Sequence, residues 1–125
     1  MNYTSIEQSK KLLELGLSSE SADMQWFLEE SYGIVQIKED LEDWGGDCTI
    51  PCWSVGALIE LMPKQMQEVK DHPIELIIGK PKEKWSIMYF DWTGLQHGHE
   101  ATAEILIDAC YKMVMWLLEN GYIKS

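Results

Sequence analysis

The segment HEATAEILIDACYKMVMWLLENGYI, residues 99–123, narrows the choice of fold more than any other part of the chain. At 100° per residue its spacing predicts a helix over about 100–119, with Gly121 as the stop. Ile105, Trp116, Ala109, Met113, Leu106, Leu117, Cys110, Val114 and Ile107 cover roughly 200° of its circumference. Glu104, Asp108, Lys112 and Glu119 keep one polar stripe. So wide an apolar arc needs covering on two or three sides, by a sheet and other helices or by a second copy of the chain.

The sheet to cover it is legible upstream. HPIELIIG and KWSIMYFDW are β-prone apolar runs separated by the basic stretch KPKEK, which predicts an antiparallel hairpin with strands near 74–79 and 84–91. On the second strand Trp85, Ile87 and Tyr89 alternate with Met88, Phe90 and Trp92. Both faces are apolar, so this strand is expected in the middle of its sheet.

Towards the N-terminus, Thr4 followed by Glu7 has the spacing of a capping box, and Gly16 marks the end of a helix over about 5–15. A turn or short helix is expected at 18–24. Residues 25–30 fit either a helix or a strand, and 33–38 reads as a strand. Pro51 and Ser54 both suit the start of a short helix beginning between 51 and 55, which Pro63 ends. The expected fold class is α+β, a single domain over 1–125. A small antiparallel sheet containing the hairpin at about 74–91 is packed by the long C-terminal helix and two or three shorter ones.

Composition limits the functions open to such a fold. The formal charge is −11, with ten lysines and no arginine. The chain lacks the planar guanidinium donors that read phosphates and base edges, and its field repels polyanions. Direct nucleic-acid binding is therefore not expected. Binding to an anionic membrane surface is not expected either, and no run of about 18 apolar residues is present to span a bilayer. MNYTSIEQSKKLLELG does not read as a secretory leader, and three cysteines favour reduced thiols, so the expected location is the cytoplasm. Six tryptophans and seven methionines point first to an aromatic-rich core.

Three constellations could carry chemistry. Cys48 and Cys52 are spaced as zinc ligands, but no second pair completes a closed site, so caps and packing account for them better. Asp91, His97, His99 and Glu100 form the densest polar cluster, a candidate divalent-metal or acid–base site. Its bland reading is a solvated connection in which Glu100 favours a helix N-terminus. The third is acidic: residues 20–47 carry nine carboxylates against Lys38, a net of −8. Trp26, Glu29, Glu30, Glu39, Asp40, Glu42, Asp43 and Trp44 would form an acidic, aromatic face for a basic partner. No phosphate-binding glycine loop or nucleophile motif argues for an enzyme, and no cofactor is expected.

YTSIEQSKKLLELGLSSESADM, IPCWSVGALIELMPK and DACYKMVMWLLENGYI together resemble a family of small uncharacterised proteins carried by prophages and mobile elements of gut bacteria. The resemblance spans about half of the chain and implies a cytosolic accessory protein of a phage or integrated element. It carries over no ligand or catalytic residue. The expected function is a non-enzymatic interaction protein with a protein partner or a second copy of itself. The alternatives are an acidic decoy that occupies a nucleic-acid-binding protein, and a metal-dependent enzyme at residues 91–100.

Overall fold

Helix α1, Ile6–Glu14, begins where a side chain can satisfy its free N–H groups. The computed structural model, which describes residues 2–29, 32–37, 49–69, 72–91 and 97–123, puts the capping box one residue later than its sequence suggests. Ser5 Oγ accepts from Gln8 N at 3.1 Å, and Gln8 Oε1 accepts from Ser5 N at 3.0 Å. The hydroxyl of Thr4, the residue first expected as the cap, is occupied elsewhere. It lies 2.8 Å from Ser9 Oγ and accepts the Trp53 N–H at 3.0 Å. Because Ser9 Oγ donates to the Ser5 carbonyl at 2.7 Å, Thr4 is the donor to Ser9. The helix stops at Gly16, whose φ of 98° is a left-handed conformation that glycine adopts without a Cβ clash.

After a 3₁₀ turn at Ser19–Ser21 come β1 (Met24–Glu29), β2 (Tyr32–Ile37) and β3 (Thr49–Cys52). They form an antiparallel sheet in the order β2-β1-β3, so residues 25–29 are strand. Pro51 does not open a helix. It lies in edge strand β3 opposite Gln25, where a missing N–H is tolerated. Helix α2, Val55–Leu61, is instead capped by Ser54, whose Oγ accepts from Ala57 N at 3.1 Å.

The second sheet is antiparallel in the order β4-β5-β6-β7, with β4 Gln65–Val69, β5 His72–Gly79, β6 Trp85–Asp91 and β7 His97–Ala103. The expected hairpin is β5–β6, and β6 is central as its two apolar faces require. Helix α3, Leu106–Glu119, starts six residues later than its periodicity suggests, because 97–103 pairs with β6. The α+β class is as expected, with two sheets rather than one.

The core lies between the four-stranded sheet and α3. Ile87, Tyr89 and Ala101 face Ile107, Cys110, Met113, Val114 and Leu117, with Leu12 of α1, Trp53 between β3 and α2, and Leu58 of α2 closing it. Each large side chain removed from water here contributes about 1.5–3 kcal/mol. Tyr89 Oη donates to the Pro63 carbonyl at 2.7 Å and so fixes the exit of α2 on the sheet. Trp53 is the fully buried tryptophan among the described residues, and Trp26, Trp85 and Trp116 are half-buried. No described helix is long and apolar enough to cross a membrane.

Candidate interaction surface

β7 pairs with β6 on one side and, among the described residues, is an edge of its sheet on the other. The Thr102 carbonyl accepts Lys112 Nζ at 3.0 Å, which fixes the direction in which it points: away from β6 and towards α3. In an antiparallel strand the N–H and C=O of one residue share a side, and alternate residues share it too. Thr102 and Glu100 therefore turn their backbone groups outward. Lysine beside an edge strand is a common guard against unwanted pairing, and Lys112 stands in that position.

A furrow runs between this edge and α3. One part, about 420 Å³, is lined by His99, Thr102, Lys112, Met115, Trp116 and Glu119. The adjoining part, about 570 Å³, continues past Ala103 and Ile105 to Asp108 and Tyr111. Thr102 and Lys112 line both. At one end the rings of His99 and Trp116 stack 4.5 Å apart at 4°, and Trp116 contacts Tyr122 at 5.3 Å and 23°. Ile105, 49% exposed, marks the other end, and Tyr122 is 38% exposed.

Alternation along β7 puts His99, like Ala101, on the α3 side, and a bulge follows it. From Met88 to Phe90 β6 advances two residues, while β7 advances three from Glu100 to His97. The histidines were expected in a loop, and Glu100 at a helix start. They lie instead on a bulged strand, with Glu100 exposed. Burial against the helix lowers the His99 pKa below the usual histidine value. Tyr111, further along the furrow, is raised by burial and then by the Glu119 carboxylate.

The other expected site residues are placed by their pairing and contacts. Asp91 pairs with Ile74 through the backbone, and His97 pairs with Phe90. Among the described residues, no three His, Cys, Asp or Glu side chains converge to hold a metal ion. Trp26 donates its indole N–H to the Thr4 carbonyl at 2.9 Å and meets Tyr3 edge-on at 5.6 Å, so it ties the N-terminal segment to β1. Glu29 ends β1 opposite Tyr32. Glu30, Glu39, Asp40, Glu42, Asp43 and Trp44 lie outside the described residues, as does Cys48.

Cys52 and Cys110 are free, buried thiols. Desolvation and the Asp23 charge push Cys52 up to about 12, and desolvation pushes Cys110 up to about 11, so neither is a nucleophile near neutral pH. Sequence reasoning missed the open edge of β7, because helical periodicity absorbed Ala101 and Ala103. The available signal was the Glu100–Thr102 alternation of polar residues with those alanines. No protein-family model, curated protein or solved structure matches the chain.

Proposed function

We propose that this chain is a non-enzymatic interaction protein, an accessory of a phage or mobile element, that receives an extended segment of a protein partner along β7. The observation that carries this reading is the outward backbone of Glu100 and Thr102 beside the aromatic group of His99, Trp116 and Tyr122. An added strand gains affinity from main-chain hydrogen bonds and selectivity from pockets for alternate side chains, and the furrow supplies such pockets. Lys112 would leave the Thr102 carbonyl when the partner's N–H arrives, and Glu100 and Glu119 stand near to receive its charge. The half-exposed aromatic rings offer anchors of the kind that dominate interface energetics.

Thr102→Pro tests the proposal. The Thr102 N–H points away from β6, so proline there removes an outward donor and leaves the β6–β7 ladder intact. In a pull-down from host lysate, a near-stoichiometric partner retained by the parent chain should be lost with Thr102→Pro at an unchanged melting temperature. Lys112→Ala should retain more of it. A partner held equally well by Thr102→Pro would overturn the reading. Sedimentation of the purified chain shows whether that partner is a second copy.

A further inference from the structure

The opposite face of the same sheet carries a second feature. Ile87 and Tyr89 point into the core, so Ser86 and Met88 point outward. Cross-strand pairing aligns Gly79, Ser86 and Thr102 in one row on that outer face, and Ile77, Met88 and Glu100 in the next. A row of small side chains beside a row of larger ones forms a trough. The turn at 80–84 closes its other end.

Two depressions of about 500 and 340 Å³ flank the row and share Pro81 and Ser86. Both lie within the roughly 300–1,000 Å³ of small-molecule sites. A Cβ built on Gly79 would meet nothing within 4 Å, so the floor of the trough is open there. Ser86 is 5% exposed, and its Oγ is buried with no hydrogen-bond partner among the described residues. A buried hydroxyl is ordinarily satisfied, and an unsatisfied one calls for an explanation. Here it lines both depressions.

The surrounding side chains indicate what would satisfy it. Lys80, Lys82 and Lys84 put three of the ten lysines of an acidic chain into one turn. Lys80 leans its ammonium over the Trp85 ring at 5.6 Å, which leaves Lys82 and Lys84 for a ligand. Glu83 and Glu100 share that rim, so the site is balanced in charge and does not suit a bare multivalent anion. Ile77, Met88 and Pro81 make the other wall apolar.

We infer that this trough binds an amphipathic monoanion: a carboxylate head accepting from Ser86 Oγ and from Lys82 or Lys84, with an aliphatic body over Gly79 towards Ile77 and Met88. Calorimetric titration of the full chain with decanoate, below the concentration at which it forms micelles, should show saturable binding at one site. Acetate, which has the head alone, should not saturate. Decyltrimethylammonium, which has a similar tail and the opposite charge, should not either. Ser86→Ala should weaken decanoate by about tenfold through the lost charge-assisted hydrogen bond. Gly79→Val fills the trough with a strand-favouring residue and should abolish binding, with the circular dichroism of the parent chain retained. The proposal is overturned if decanoate fails to saturate, if the cationic amphiphile binds as tightly, or if both variants bind decanoate like the parent.

Discussion

Buried hydroxyls on two sides of this molecule are treated in opposite ways. Near the N-terminus, Thr4 and Ser9 are fully buried and fully engaged, joined to each other, to the Ser5 carbonyl and to the Trp53 N–H. Asp23 extends the group: its Oδ1 accepts from Ser54 N at 2.9 Å, and its Oδ2 accepts a short hydrogen bond from Ser54 Oγ. Trp53 Nε1 donates to Ser21 Oγ at 2.9 Å. On the outer face of the four-stranded sheet, Ser86 has an equally hidden hydroxyl and no such partner among the described residues. A polar group that holds the fold shows its bonds within the fold, and Ser86 shows none among the described residues.

Substitutions that remove each group sharpen that contrast. Trp53→Ala should have the largest effect, a loss of about 3–5 kcal/mol in denaturant unfolding, since it empties a core position and leaves Ser21 without its donor. Asp23→Ala should cost about 2 kcal/mol by the same measurement, because two Ser54 donors lose a charged acceptor at the start of α2. Ser86→Ala should leave stability within about 0.5 kcal/mol of the parent or raise it, as no described bond is broken. A loss as large as that of Asp23→Ala would erase the distinction between the two regions.

The smallest effect is on a titration. His99 favours its neutral form in the folded state, so its share of stability is present above the ordinary histidine pKa and is lost as the pH falls through the lowered folded value. In the proton NMR titration its midpoint should lie below the usual histidine range. Trp116→Ala, which exposes the ring, should move it back upward.

Where one signal dominated, the fold was legible. The β5–β6 hairpin and the central place of β6 follow from β-branched and aromatic runs around a lysine-rich turn. Two errors have specific causes. The capping box shifts by one because the Thr4 hydroxyl bonds Trp53, a contact across 49 residues that local spacing cannot display. The start of α3 shifts by six because Ala101 and Ala103 suit a buried strand face as well as a helix, and only pairing with β6 decides between them. Ile105, which precedes α3, makes no side-chain capping bond, so the boundary carries no sequence mark. The candidate surface was legible only in fragments. His99 and Glu100 drew attention as possible ligands, whereas Thr102 and Lys112 acquire a role through an edge that exists only once β7 has paired.

The Gln8 side chain donates to Asp108 Oδ1 at 2.8 Å, a bond between residues 100 apart in sequence. During synthesis α1 leaves the ribosome long before the first turn of α3 is made. The contacts of Thr4 with Trp53 can form once β3 and α2 are made, but the Gln8–Asp108 bond waits for the last quarter of the chain. A nine-residue helix is marginal in water without tertiary support. Translation speed through the second sheet therefore sets how long α1 waits for α3.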